Sequence, residues 1–234
     1  MPVTEIIMVK YNAPEYEALC LESIAKYTHA PHHVTAYQNK KGIGLSSTWN
    51  KLIARSDAEY ICLLNNDTIV TNYWLSRMLD VFSDEKNVGA ITPASNAVGA
   101  RMCVPINFNA TSQNLEEIND FATNYWILNA RETELRNQEG LSGFCLMFPK
   151  EVWLKSGMFD ERFQFYYEDA EWTKRVHRVY GYDLRWAKGV YIHHYGSISM
   201  KKAHAEGEID RIKTEIDAGH LCEQIINGVS TRKA

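Results

Sequence analysis

No apolar run in this 234-residue chain approaches the ~20 residues needed to cross a bilayer, which leaves only peripheral attachment to a membrane. The amino terminus, Met1-Pro2-Val3-Thr4-Glu5, has no basic segment followed by an apolar one. No signal peptide is read there, and the expected location is cytoplasmic or at the membrane periphery. Cysteine is sparse: Cys20, Cys62, Cys103, Cys145 and Cys222 are odd in number and widely spaced. No pair has zinc-site spacing, and the pattern argues for buried reduced thiols rather than a disulfide framework. There is no basic stripe to meet nucleic acid and no acidic block to make a disordered tail, and the formal charge is only −4. Internal repeats, low-complexity stretches and an evident interdomain linker are missing as well.

With 45% hydrophobic and 23% charged residues, the chain is composed like an ordinary globular protein with a substantial core. Glu5 to Val9 predicts a first strand. Asn12 is placed to cap the following helix, with Pro14 in its first turn and Tyr16, Leu19, Cys20, Ile24 and Tyr27 facing a sheet. His33 to Tyr37 predicts a second strand, and a helix carrying Trp49, Leu52 and Ile53 leads to a third, Tyr60 to Leu64. Trp74, Leu75, Met78, Leu79 and Phe82 mark another helix, and Val88 to Ile91 another strand. This alternation predicts an α/β fold built on a doubly wound parallel sheet. Pro93 to Phe108 has no period, and Leu115 to Arg136 reads as one helix with Asn114 and Glu117 at capping-box spacing. A strand over Gly143 to Phe148, a short helix from Pro149 to about Gly157, and a helix from Glu168 ended by Gly181 come next. Asp183–Ala187 and Val190–His193 read as two short strands. The tail from Ala205 to Asn227 has Ile209, Ile212, Ile216, Ile225 and Ile226 at helical intervals, suited to docking on the domain or on a partner chain.

Three polar groups interrupt this pattern. Asn65-Asn66-Asp67 ends the buried third strand, where an open α/β sheet binds its ligands. A carboxylate there can hold a hard divalent cation, and the same residues also suit a turn or helix cap. Glu168-Asp169-Ala170-Glu171 follows the aromatic stretch Phe163 to Tyr167. Its acids can act as a general base or complement the helix dipole, and the aromatics, with Trp172, can form a sugar-stacking wall or core. His193 and His194 close a strand.

The order of Val9-Lys10-Tyr11-Asn12, Leu63-Leu64-Asn65-Asn66-Asp67, Gly157-Met158-Phe159-Asp160-Glu161, Tyr167-Glu168-Asp169 and His194-Tyr195-Gly196-Ser197 resembles the family 2 glycosyltransferases over about residues 3 to 200. The resemblance implies the A-type glycosyltransferase fold, a Rossmann-like, mixed, mainly parallel sheet flanked by helices. It implies inverting transfer of a sugar from a nucleotide-diphosphate donor, with Mn2+ or Mg2+. Asp67 would then bind the metal, with His194, or adjacent His193, as a further ligand in a His-x-Gly-x-x-Ser pattern completed by Ser199. Val9, Tyr11, Asn39, Asn65, Asn66 and Gly143 would hold the donor, Gly143 by letting backbone approach the sugar. Asn39 and Asn65 stand where the family more often has Asp, so UDP- and dTDP-linked sugars are both open. Asp169 would be the general base beside Glu168, with Glu171, Tyr167 and Trp172 near an acceptor hydroxyl.

On this reading residues 1–200 form the catalytic domain, with a nucleotide-binding part over 1–92 and an acceptor-binding part over 93–200. Residues 201–234 form a helical tail that offers a surface for oligomerisation. The rivals are a nucleotidyltransferase, for which Lys10 to Glu15 lacks the glycine-rich basic loop, and a binding module without catalysis. Nothing in the sequence identifies the acceptor.

Overall fold

The computed structural model describes residues 2–11, 13–40, 42–98, 102–104, 111–163, 165–196, 198–205, 207 and 210–231. The chain begins as its pattern predicts. β1 (Thr4–Lys10) buries Ile6, Ile7 and Met8, and α1 (Pro14–Tyr27) turns Cys20, Ile24 and Tyr27 inward. Pro14 sits in the first turn of α1, where a missing amide is not needed. Asn12, expected to cap that helix, lies outside the described residues. β2 (His32–Gln38), α2 (Leu45–Arg55) and β3 (Tyr60–Asn65) follow, and β2, β1 and β3 lie side by side, all parallel. Lys10 pairs with Gln38 and Val9 with Asn65, so the three strands end together at one edge.

β4 (Thr68–Ile69), α3 (Trp74–Asp84), β5 (Val88–Ala94), α4 (Leu115–Asn129), β6 (Thr133–Leu135), β7 (Cys145–Pro149), α5 (Lys150–Ser156), α6 (Glu168–Tyr180), β8 (Asp183–Tyr191), β9 (His193–His194), α7 (Ile198–Ala205) and α8 (Arg211–Thr231) complete the chain. The main sheet has the order β2-β1-β3-β7-β5-β8-β6. β7 runs antiparallel to β3 and β5, and β6 antiparallel to β8, while the other pairs are parallel. The sheet is therefore mixed and mainly parallel, as the family resemblance implies, where periodicity alone predicts a parallel one. Burial on both faces erases the alternation that would distinguish strand directions.

Three further expectations change. The helix expected to run to Arg136 stops at Asn129, Arg131 turns to φ 59°, and Thr133–Leu135 pairs with β8 instead. Asn114 does cap that helix, accepting from the amides of Glu116 and Glu117, while Glu117 accepts from Ser112. The short strands expected at Asp183–Ala187 and Val190–His193 run together as β8 up to Tyr191, and His193 belongs to β9. β8 passes through Gly189, where a Cβ would come within 2.4 Å of the Asn129 carbonyl oxygen. The tail helix expected from about Ala205 to Asn227 begins later, at Arg211, as α8, and α7 precedes it. α8 docks on α6 through Ala218, Cys222 and Ile226, which pack with Phe163, while Ile216 is exposed.

Trp74, Trp172, Phe148 and Phe159 are among the largest fully buried side chains. Burying a Phe-sized side chain contributes roughly 1.5–3 kcal/mol. Cys20, Cys62, Cys145 and Cys222 are buried free thiols, and burial pushes Cys20 up to about 12. No helix among the described residues is long and apolar enough to cross a membrane.

Candidate active site

Where β1, β2 and β3 end, a cavity of about 440 Å³ opens, within the usual range of small-molecule sites. Val9, Tyr11, Asn39, Asn65, Asn66, Asp67 and Gly143 all line it, and so do Tyr167, Glu168, Asp169 and His194. Lys40 is the one cation among its described lining residues.

A two-stranded ladder brings the metal candidates together. Thr68 of β4 pairs with His194 of β9, and the Tyr195 amide donates to the Asp67 carbonyl oxygen at 3.0 Å. Residues 127 apart in sequence thereby meet, with His194 Nε2 3.1 Å from Asp67 Oδ1. The other carboxylate oxygen, Oδ2, accepts from the Ile198 amide at 2.9 Å, at the start of α7. Burial raises the Asp67 pKa, but the His194 ring and that amide outweigh it and hold the carboxyl below its ordinary value. His194 Nδ1 lies 2.7 Å from the Ala97 carbonyl oxygen. A neutral ring donating there turns its Nε2 lone pair on the Asp67 oxygen, an arrangement satisfied by a proton or a cation between them. Phe144 stacks on the ring at 5.2 Å. His193 points elsewhere, fully buried, with Nδ1 3.0 Å from the Tyr191 hydroxyl and its ring edge-on to Tyr195.

Across the cavity, Tyr166 and Tyr167 both adopt left-handed backbone, with φ 65° and 66°. Side chains other than glycine avoid that region, and two in succession mark a conformation imposed by the surroundings. The chain turns sharply there and presents Glu168 and Asp169 at the start of α6. Asp169 accepts from the amides of Gly143 and Ala170. A Cβ on Gly143 would lie 3.0 Å from the Asp169 Cβ and 3.1 Å from Oδ2. The missing side chain expected to admit a sugar thus admits the carboxylate of Asp169. Burial raises the pKa of Asp169, and burial followed by the Asp169 charge pushes Glu168 up to about 8. Glu168 Oε2 and the Asn66 side-chain nitrogen are buried without a hydrogen-bond partner. Other such atoms, of Thr4, Ser46 and Trp153 among them, lie elsewhere, while these two belong to residues lining this cavity.

Two acceptor candidates lie elsewhere. Trp172 is fully buried between Phe148 and Phe159, its Nε1 donating to the Gly157 carbonyl oxygen at 2.9 Å. Glu171 pairs with Arg175 at 2.7 Å, and Arg175 also donates to the carbonyl oxygens of Ser156 and Met158. Both residues fix the connection between α5 and α6. Helical spacing explains the difference, because Glu168 and Glu171 or Trp172 are separated by about one turn and only the first turn reaches the cavity. Of the aromatics, Phe165, Tyr166 and Tyr167 line the cavity and Phe163 lies under α8. The Asn39 amide is engaged by its own loop, donating to the Ile43 carbonyl oxygen at 2.9 Å and accepting from Thr48 at 3.0 Å. One N–H of that amide remains for a ligand.

Two positioning residues were not anticipated. Asn96 accepts from the His194 amide and the Tyr191 hydroxyl and donates to the His194 carbonyl oxygen. Asn50 exchanges hydrogen bonds with the Phe159 backbone and donates to Glu161. Asn50 interrupts the apolar face of α2 and could be suspected on that ground; Asn96 lies in an aperiodic stretch with no such signal.

The family described as Glycosyl transferase family 2 matches residues 2–152. No curated protein matches the chain significantly. Among solved structures, GalNAc-T7 with UDP, GalNAc and Mn2+ is similar with a TM-score of 0.59 at 10% identity, over 83% of this chain and 43% of that one. The mannosyltransferase PcManGT from Pyrobaculum calidifontis, in complex with GDP-Man and Mn2+, has a TM-score of 0.55 at 12% identity, over 82% and 56%. The catalytic domain of Drosophila beta1,4galactosyltransferase 7, complexed with xylobiose, has 0.54 at 11%, over 81% and 66%. At these identities the likeness is one of fold, and the chain spans less than two thirds of each of these three structures.

Proposed function

The chain belongs to glycosyl transferase family 2 and has the A-type fold, and we propose that it transfers a sugar from a nucleotide-diphosphate donor to an acceptor hydroxyl with inversion. The observation that carries this reading is the convergence of Asp67, His194 and Asp169 on one cavity, from three separate parts of the chain. Two solved structures of the same fold are complexes with Mn2+ and a nucleotide or nucleotide sugar.

Asp67 and His194 fit Mn2+ or Mg2+: one supplies a carboxylate, the other an imidazole whose remaining nitrogen is directed to a carbonyl oxygen. Among the described residues no third His, Cys, Asp or Glu joins them, which suits an ion that completes its shell with phosphate oxygens and water. When bound, the ion would stabilise the charge on the departing diphosphate. Lys40 adds a positive charge at the cavity wall. Val9, Tyr11, Asn39 and Asn65 surround the nucleoside, with uridine and thymidine as the first candidates for its base.

Asp169 takes the acceptor proton. Two backbone amides fix its carboxylate, and burial makes it a stronger base than an exposed Asp. Glu168, pushed up to about 8, is mainly protonated at neutral pH and leaves the pair's negative charge on Asp169. Residues 1–92 serve the nucleotide and 93–200 the acceptor.

Titration calorimetry of UDP-, dTDP- and GDP-linked sugars, with and without Mn2+, tests the donor assignment. Asp67→Ala is expected to remove the metal-dependent part of the affinity. Donor affinity that stays unchanged in that variant at saturating Mn2+ would refute Asp67 as a ligand.

A further inference from the structure

Resting on the transferase reading above, we propose that the acceptor is an uncharged saccharide, bound in a second cavity that shares Asp169 with the first and is bordered by α8. This cavity, of about 510 Å³, shares Ser142, Tyr166, Tyr167 and Asp169 with the first. Asp67, Asn65 and His194 line the first alone. The carboxylate assigned as base therefore stands in the partition. A hydroxyl in the second cavity can reach it without entering the part of the first that Asp67 and His194 line.

The walls select the chemical class. Besides Asp169, the second cavity receives Glu139 and Glu215, and Arg136 is the cation among its described lining residues. Arg136 is already neutralised, 2.9 Å from Glu134 and 3.9 Å from Glu139, with its guanidinium 4.9 Å over the Trp186 ring. Lys174, which lowers the proton affinity of Asp169 from α6, does not line the cavity. The lining is negative on balance, so a phosphate ester or uronate is repelled, whereas carboxylates readily accept from sugar hydroxyls. Tyr166 and Tyr167 offer aromatic surface to the apolar face of a sugar ring. α8 contributes twice, supplying Glu215 and seating Tyr167 against Gly219, where a Cβ would lie 3.5 Å from the Tyr167 ring.

Saturation-transfer NMR on the full chain, with maltose, cellobiose and lactose set against maltose 1-phosphate, tests this. At least one neutral disaccharide is expected to bind and the phosphate ester to be rejected. Glu215→Ala should weaken disaccharide binding about tenfold, the worth of one hydrogen bond to a charged group. Met102→Trp, which enlarges a side chain of the cavity wall, should weaken it at least as much, and both variants should keep wild-type affinity for nucleotide diphosphate. Preference for maltose 1-phosphate, absence of binding by all three disaccharides, or unchanged binding in both variants overturns the assignment. Disaccharide binding that responds to these substitutions in a protein that turns over no nucleotide sugar would uphold the saccharide site and remove the transferase reading.

Discussion

Asp67, buried, and Asp169, half-buried, line the same cavity, and their surroundings push them in opposite directions. Asp67 has an imidazole against one oxygen and a helix-start amide on the other, and its proton affinity falls. Asp169 receives two amides as well, yet burial beside Glu168 prevails and its proton affinity rises. Burial raises both, and the difference lies in what opposes it: the imidazole and amide at Asp67 outweigh burial, whereas the amides at Asp169 and the more distant Lys174 do not. One centre is thereby suited to stay anionic toward a cation, and the other to accept a proton.

Four experiments break or sharpen that contrast, from the largest expected effect to the smallest. Asp169→Asn keeps the shape and removes the base; sugar transfer should fall by about 10²–10⁴ while donor affinity persists, as steady-state kinetics and calorimetry would show. Gly143→Ala forces the Asp169 carboxylate aside through contacts of 3.0 to 3.1 Å, and a displacement of that kind should lower kcat by up to about 10² with less change in donor binding. On the other side of the cavity, Asn96→Ala releases the backbone of His194 and should weaken Mn2+ binding by about tenfold in a metal titration, leaving the pH dependence of turnover in place.

The last experiment concerns stability. The folded-state pKa of Glu168 is raised, so the native state holds a proton that the unfolded chain gives up first. Its contribution is complete below the ordinary Glu range, near 4.5, and is lost as pH rises toward about 8. Asp169 acts in the same sense. Asp67 acts in the opposite sense, losing its contribution only in acid, as pH falls below the ordinary Asp range. Glu168→Gln should therefore flatten the decline in melting temperature between pH 5 and about 8. An equally steep decline in that variant would place its origin elsewhere.

The residues legible in the sequence are those whose neighbours are local or whose order along the chain is distinctive. The β1-α1 unit, α2 and β3 follow from periodicity, and the Asn65-Asn66-Asp67 turn is announced by the end of an apolar run. The direction of β7 was not legible, because a strand buried on both faces reads alike either way. At Gly143 the sequence says that something approaches closely, and only the packing of α6 says that Asp169 does. Glu171 and Trp172 are close to Asp169 in sequence but sit about a turn further along α6, buried against the α5–α6 connection. The separation of His194 from His193 depends on which face of β9 meets β4, information held in a ladder between residues remote in sequence.

The position of β7 also governs how the protein is assembled. It is synthesised after β5, α4 and β6 yet lies between β3 and β5, so an emerging chain carries two incomplete sheet edges until residues 145–149 arrive. Such late insertion makes folding slow and leaves unpaired strands exposed meanwhile. A fragment cut before Cys145 would retain every residue assigned to the nucleoside and yet lack β7, and is expected to aggregate. The smallest stable portion of this protein therefore reaches past Pro149.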